Sequence, residues 1–238
     1  MTQLSPPRPD PLLLLPGMMC DARLFAPQIA RFSVGRTVQV APINSADRIE
    51  KIARHVLEQA PPRFALLGLS MGGIVAMEIC RQAPGRVTRA AFLDTNPKAE
   101  REVVKAGRWP QIQAARDGRL ASVMRDEMKP NYLTDGPRRA EVLDLCMDMA
   151  LAQGREVFER QSLALMHRPD QQDTLRQLKV PTLALCGRDD MLCPIHRHEL
   201  IAALVPGCGL EIIDGAGHLP TLEQPEKTNA ALARWLER

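Results

Sequence analysis

Hydrophobic residues in this chain form short continuous runs, which alternate with longer stretches where apolar residues recur every three or four positions. The short runs are typical of strands buried on both faces, and the periodic stretches are typical of amphipathic helices. Ile49, Ile52, Ala53, Val56 and Leu57, for example, share one face of a helix. The runs predict strands at residues 11–15, 37–41, 64–67, 87–93, 180–186 and 209–213. Helices are predicted at residues 23–32, 46–59, 74–80, 195–204 and 226–236.

This alternation predicts an α/β protein: a mostly parallel central sheet of about six strands, flanked by helices on both faces. The alternation stops after the fourth strand. Residues 98–177 are helical in character, with breaks expected at Pro110, Pro130, Pro137 and Pro169, and contain no convincing strand. We therefore expect a core formed by residues 1–97 and 178–238 and a helical cap formed by residues 98–177. The proline-rich residues 1–10 are expected to be extended or loose.

The motif that carries the clearest chemistry is Gly68-Leu69-Ser70-Met71-Gly72, between a predicted strand and a predicted helix. In that context G-x-S-x-G indicates a nucleophile elbow, a sharp strand-to-helix turn that exposes a serine hydroxyl. The glycines are needed because side chains two residues from the serine would collide with neighbouring elements. Ser70 is therefore the candidate nucleophile. The alternative is an ordinary glycine-rich turn.

A serine hydroxyl needs a base to take its proton, and the base needs a third group to orient it. His218 follows the last predicted strand through the turn Asp214-Gly215-Ala216-Gly217, at the carboxyl edge of the sheet. We interpret His218 as the base. The remaining histidines lie within predicted helices or the helical insertion, and two of them are only two residues apart and would point in different directions: His55, His167, His196 and His198.

The orienting acid is expected between Ser70 and His218 in the chain, if the order is serine, acid, histidine. Asp189 and Asp190 both follow the fifth strand, and adjacent residues leaving a strand point in opposite directions. Asp190 is the preferred candidate. Asp189 and Asp94, which follows the fourth strand, stay open as alternatives.

The oxyanion that forms during acyl transfer needs N–H groups already aimed at it. The residue after the nucleophile, Met71, supplies one such group. The loop after the first strand, Gly17-Met18-Met19, is expected to supply the second, with Met18 favoured. Backbone donors do not depend on the side chain, so these methionines can also belong to the core.

The amino-acid composition narrows the class of protein further. The 238 residues carry a net charge of +3 with acids and bases interspersed, which gives no indication of a nucleic-acid partner. Six scattered cysteines favour reduced thiols in a cytoplasmic protein, and no apolar run approaches the length of a membrane span. No cofactor or metal is implied. Residues 97–178 contain 14 basic and 13 acidic residues, so their composition does not indicate whether the substrate is charged.

With these motifs, the chain resembles the α/β-hydrolase superfamily over essentially its whole length. The resemblance rests on the G-x-S-x-G motif, on Gly187 to Pro194 around Asp190, and on Gly217-His218 followed by residues 222–225. It implies that Asp190 pairs with the histidine and that the insertion is a cap. Pro16 stands where many relatives have histidine, and the first two strands of many relatives are missing. A serine nucleophile argues against the haloalkane dehalogenase and epoxide hydrolase branches.

The expected function is a serine hydrolase that cleaves a carboxylic ester or thioester with a small, apolar acyl group. The same residues would also suit C–C bond cleavage, lactone opening or acyl transfer. The alternative from a different functional class is a non-catalytic protein that binds a ligand on the same fold. The partner is a small-molecule substrate, and the chain is expected to be a monomer or homodimer. Residues expected to contact the substrate are Met19, Trp109, Met124, Met128, Met147, Met166 and Leu219, although most at helical spacing would pack internally.

Overall fold

The computed structural model describes residues 9–237, so the expectation of a loose amino-terminal segment falls almost wholly outside the described residues. The described part contains one sheet of six parallel strands in the order β2-β1-β3-β4-β5-β6. This confirms the predicted fold class. The strands are β1 Leu12–Leu15, β2 Val38–Val40, β3 Phe64–Leu69, β4 Val87–Leu93, β5 Thr182–Gly187 and β6 Gly209–Ile213.

Helices cover both faces of the sheet. Those that connect the strands or follow them are α1 Ala26–Phe32, α2 Ile49–Gln59, α3 Met71–Gln82, α9 Ile195–Leu204, α10 Pro220–Glu223 and α11 Pro225–Glu237, with 3₁₀ turns at Ala22–Phe25 and Pro84–Arg86. Those between β4 and β5 are α4 Glu102–Ala114, α5 Leu120–Ser122, α6 Arg139–Gln153, α7 Arg155–Met166 and α8 Gln172–Gln177. Around α5 the backbone forms π turns at Ala115–Arg119 and Val123–Met128 and a 3₁₀ turn at Lys129–Asn131.

The core consists of two apolar layers, one on each side of the sheet. Leu13 and Leu15 of β1 belong to the layer beneath α2 and α3, whereas Leu12 and Leu14 belong to the layer beneath α1 and α11. All four side chains are fully buried. A strand that is buried on both faces needs a continuous apolar run, which explains why the sequence of β1 is four leucines.

The order of the strands places a crevice between β1 and β3. The chain leaves β1 for the edge strand β2 and then returns to the other side of β1 as β3, so the connections depart in opposite directions. Ligands on open α/β sheets bind at such a switch point, beyond the carboxyl ends of the strands. Met18 follows β1 there, and Ser70 follows β3.

The region between β4 and β5 is helical, without a strand in its described residues, as expected. Its internal breaks differ from the prediction. Pro110 lies inside α4 instead of ending it. The interruption comes at Gly118, whose φ of 84° is incompatible with a helix. The division of the chain into a core and a cap stays a prediction. No described helix combines the length and apolar character needed to span a membrane.

The turn between β3 and α3 packs directly against the end of β1. A β-carbon on Gly72 would lie 2.1 Å from the backbone oxygen of Leu15, and one on Gly68 would lie 2.2 Å from the backbone oxygen of Gly72. Both distances are far inside van der Waals contact, and the opposing atoms are backbone atoms that cannot rotate away. The two glycines therefore let the elbow reach the crevice.

We expect Gly72→Ala to destabilise the protein by about 1–3 kcal/mol or more, because overpacking at this level forces backbone shifts. For a chain of this length, this corresponds to a decrease in Tm of several degrees in thermal denaturation followed by circular dichroism. Gly85→Ala is the matched control, since no atom of the described residues lies within 4 Å of a β-carbon there. Equal Tm values for the two variants would contradict the close approach.

Candidate active site

Ser70 lies at the first position after β3 in a strained conformation, with φ 56° and ψ −118°. Positive φ is uncommon for a residue with a side chain and must be held by its surroundings. Here the Ser70 N–H donates to Leu93 O at 2.9 Å. Its carbonyl accepts from Gly73 N at 2.9 Å and from the Thr95 hydroxyl at 2.7 Å. The network holds the turn and directs the Ser70 hydroxyl into the cavity above the sheet.

His218 links this serine to an acid. Its Nε2 lies 2.9 Å from Ser70 Oγ, and its Nδ1 lies 2.8 Å from Asp190 Oδ2. Two hydrogen bonds from opposite edges of one imidazole fix the plane of the ring. The residue is 2% exposed, so water does not compete for Nδ1.

Asp190 is buried and accepts further hydrogen bonds from the N–H groups of Leu192 and Cys193, at 2.8 Å and 2.9 Å. Burial opposes ionisation of the carboxyl group. His218 and the two N–H donors outweigh that effect and lower the pKa of Asp190 to about 2. Asp190 is therefore a carboxylate at neutral pH.

Asp94, an alternative acid in the sequence, is fully buried close to Asp190 but makes no hydrogen bond to His218. Its Oδ1 accepts from Gly187 N at 2.9 Å. Burial and the neighbouring charge of Asp190 raise the pKa of Asp94 well above its usual range. Asp94 is therefore the less acidic of the two buried carboxyl groups. Asp189, the other alternative, accepts from the Thr134 hydroxyl at 2.8 Å instead.

The loop after β1 lies against Ser70. A β-carbon on Gly17 would be 3.5 Å from the Ser70 β-carbon, and both Met18 and Met71 line the cavity. Met71 opens α3, so its N–H belongs to the first helical turn, which has no intrahelical acceptor. Met19, with φ 57°, reverses the loop.

Three polar residues that sequence reasoning did not assign, two of them buried and one half-buried, hold this arrangement. Gln161 on α7 accepts from Met19 N at 2.8 Å and donates to Ile43 O. Glu223 accepts from Gly217, Leu219 and Thr134 backbone N–H groups, at 2.9–3.0 Å. Gln161 occupies an apolar position of its helix, between Val157 and Leu165, and that irregularity is the feature that could have revealed it.

The third is His198, which is fully buried on α9. Its Nε2 accepts from Thr95 N at 3.0 Å, and Thr95 in turn binds the Ser70 carbonyl. Burial lowers the pKa of His198 to about 4, so it is neutral and acts as an acceptor. His196, two residues away, is exposed.

The helical region also contacts the His218 turn directly. The carbonyl of Tyr132 accepts from His218 N at 2.6 Å, and the Tyr132 ring packs edge-on against the imidazole with centroids 5.4 Å apart. A chain segment between β4 and β5 therefore positions a residue that follows β6.

A cavity of about 740 Å³ opens above Ser70 and His218. Of the residues expected to contact substrate, Met128 lines it. The other six are not among the described residues that line it. Met19, Met124, Met166 and Leu219 are buried in the two core layers, and Met147 packs against one of them. Trp109 is 51% exposed, because Val104, Arg108 and Gln111 form the face of α4 that points into the cavity.

Asp190, Cys193 and His218 bring their potential ligand atoms within 4.8 Å of one another. These atoms already serve other roles, since a metal would have to displace the hydrogen bond between His218 and Asp190. Burial raises the pKa of Cys193 well above its usual range, so the side chain is a thiol and a poor metal ligand. The donor set therefore fits a hydrogen-bonded chain rather than a metal centre.

A serine, a histidine and an aspartate joined in this order at the carboxyl edge of a parallel sheet are typical of α/β hydrolases. The alpha/beta hydrolase family matches this chain over residues 12–231, and the chain belongs to that family. The predicted resemblance is thereby confirmed.

Three relatives illustrate the similarity. A pimeloyl-(acyl-carrier protein) methyl ester esterase of Methylococcus capsulatus is 32% identical over 194 residues, which cover 76% of this chain and 73% of the relative. A thermophilic esterase from Thermogutta terrifontis, solved with malate bound, is 27% identical with a TM-score of 0.85, covering 95% of this chain and 89% of that one. An enol-lactonase from Burkholderia xenovorans is 20% identical, with a TM-score of 0.87 and coverage of 97% and 92%, and shows the shared fold.

We expect His198 to make stability depend on pH below neutrality. The unfolded chain binds a proton at this residue near the ordinary histidine pKa of 6.5, whereas the pKa in the folded protein is about 4. Stability is therefore lost as the pH falls below 6.5, by about 2 kcal/mol at pH 5. Above pH 6.5 the residue contributes no pH dependence.

The measurement is urea denaturation at pH 7 and pH 5 of the parent and of His198→Gln, which can accept the Thr95 N–H without titrating. The variant should lose less unfolding free energy between the two pH values than the parent. Equal losses would show that His198 is not held neutral by the fold.

Proposed function

We propose that the protein is a serine hydrolase that cleaves a carboxylic ester or thioester through Ser70, His218 and Asp190. The observation that carries this proposal is the continuous chain of hydrogen bonds from the Ser70 hydroxyl through the imidazole to a buried carboxylate. Membership of the hydrolase family and similarity to esterases support it.

The reaction begins when Ser70 Oγ attacks the carbonyl carbon of the ester and His218 Nε2 takes the hydroxyl proton. Asp190 holds Nδ1–H and stabilises the imidazolium that forms. The charge that develops on the carbonyl oxygen is stabilised in this proposal by the N–H groups of Met71 and Met18, two residues that line the same cavity as Ser70.

Collapse of the tetrahedral intermediate breaks the bond to the alcohol or thiol, which leaves with the proton from His218. An acyl group then remains on Ser70. Water enters, gives its proton to His218 and attacks the acyl carbon, and the second collapse returns the proton to Ser70 Oγ and releases the acid. Each proton that His218 accepts is thus returned within the same half-reaction.

The helical residues 98–177 act as the cap in this proposal. They supply much of the cavity wall, including Val104, Met128 and Leu165, and these apolar side chains suit an acyl or alkyl group. Met18 and Ile74 continue the apolar surface close to Ser70.

The first test is labelling with a fluorophosphonate probe. We expect the parent to gain the mass of one phosphonyl group and Ser70→Ala to gain none, as measured by intact mass spectrometry. Hydrolysis of p-nitrophenyl acyl esters and acyl thioesters of varied length should be lost in the same variant. A parent that neither labels nor hydrolyses any of these substrates would rule out the mechanism.

The second test separates the two buried acids. Asp190→Asn leaves the imidazole without its charged partner and should lower kcat by about 10³- to 10⁴-fold. Asp94→Asn should have a much smaller effect on kcat, because Asp94 makes no hydrogen bond to His218 and burial already disfavours its charged form by raising its pKa. The measurement is steady-state hydrolysis of one p-nitrophenyl ester, with Tm recorded for both variants. A larger loss of kcat in Asp94→Asn would transfer the role of orienting acid to Asp94.

A further inference from the structure

The wall of the cavity is strongly cationic, although the composition of the helical region is balanced. Among the described residues that line it, five carry positive charge and two carry negative charge. The cations are Lys98, Arg101, Arg108, Arg168 and Arg197, and the acids are Glu100 and Glu127. Composition alone does not predict this excess, because compensating acids of the region lie elsewhere on its surface.

A buried cluster forms the centre of this charge. Arg108 Nη2 lies 2.7 Å from one carboxylate oxygen of Glu100, and Arg168 Nη2 lies 3.2 Å from the other. The side chains of all three residues are 7–14% exposed. Two guanidinium groups thus share one carboxylate, and one positive charge has no counter-charge within the cluster. Such a charge is costly in a desolvated site unless an anion joins it.

Arg197, in the first turn of α9, adds a further cation beside this cluster. The described residues form no ion pair with its half-buried side chain. Burial lowers the pKa of Arg168, and the nearby charges of Arg108 and Arg197 lower it further against the opposing effect of Glu100. An additional anion between Arg168 and Arg197 would relieve this repulsion.

Two of these cations, Arg168 and Arg197, lie close to the reacting centre. Arg168 and Arg197 both act electrostatically on Cys193, whose sulfur is within 4.8 Å of ligand atoms of Asp190 and His218. The cavity wall also includes apolar side chains, among them Met18, Ile74 and Met128. The site therefore presents an apolar surface and an anion-binding surface to the same small molecule.

We propose that the substrate is an ester or thioester that carries an anionic oxyacid group, a carboxylate or a phosphate, and that Arg168 and Arg197 bind this group. The proposal rests on the function proposed above and specifies its substrate class. The planar guanidinium fork matches the oxygens of either anion and forms charge-assisted hydrogen bonds with them. Binding at this position would fix the distance from the anionic group to the carbonyl that Ser70 attacks.

The test compares three series of methyl esters of equal chain length: monomethyl esters of dicarboxylic acids, the same esters with a terminal phosphonate, and the same esters with a neutral terminal primary amide. We expect the parent to prefer the better-fitting anionic series over the amide by about 10- to 100-fold in kcat/KM, as hydrogen bonds to charged groups permit. The preferred anionic series identifies the anion as a carboxylate or as a phosphate. Equal rates for all three series would overturn the inference.

Arg197→Gln is the main variant, because the side chain has no ion pair to lose among the described residues. It should raise KM for the anionic ester by about tenfold or more relative to the amide, with kcat for the anionic ester less affected. Arg197→Lys should restore part of the difference because it keeps the charge. Arg176→Gln is the matched control, since Arg176 pairs with Asp173 outside the cavity. If Arg197→Gln raised KM equally for the anionic ester and the amide, Arg197 would not bind the anion.

Binding without turnover separates this inference from the proposed function. A dicarboxylate and a bisphosphonate of the preferred length, with their diamide as the neutral control, are titrated into Ser70→Ala by calorimetry at constant ionic strength. One outcome is that an anion binds, that Arg197→Gln weakens this binding, and that the parent shows neither hydrolysis nor fluorophosphonate labelling. This outcome would refute the hydrolase mechanism but support the anion site. If the parent is labelled and hydrolyses esters but binds no anion selectively, the anion site is refuted and the hydrolase mechanism is supported.

Discussion

The candidate active site depends on a contact between two backbones that leaves no space for a β-carbon. The first turn of α3 meets the end of β1 at Gly72, and the turn itself closes on Gly68. This contact brings the loop after β1 and the residue after β3 together at the switch point of the sheet. Because both partners are backbone, neither can adjust by changing a rotamer, and the strained Ser70 conformation is preserved by the surrounding strands.

The other parts of the site are positioned from a distance by buried and half-buried polar groups. Gln161 orders the loop that carries Met19, Glu223 gathers the backbone around His218, and His198 supports the elbow through Thr95. Each of these polar side chains accepts at least one hydrogen bond from a backbone N–H group. Such groups specify one arrangement because alternatives would leave a donor or acceptor unpaired.

The number of strands and the residues at their carboxyl ends could be predicted from the sequence, because buried parallel strands have continuous apolar runs and the reacting groups follow them. The sequence alone left three candidates for the orienting acid: Asp190, Asp189 and Asp94. The choice among them depends on which carboxylate the imidazole ring contacts in three dimensions. Most of the residues expected to contact substrate do not line the cavity, because the orientation of α4 and the π turns around α5 decide which side chains face it. The cationic wall was not predictable, because Arg168 and Arg197 come from separate connections and meet only in three dimensions.

The Tyr132 carbonyl accepts a hydrogen bond from the His218 N–H, and this contact limits how helical regions can be exchanged between members of the family. A helical region that only covered a cavity could be replaced by that of a relative to change substrate preference. Here the region also supplies Gln161 to the loop after β1 and Tyr132 to the turn that carries His218. Substrate preference and alignment of the imidazole are thus inherited together, and a chimera would need to retain both contacts at its junctions.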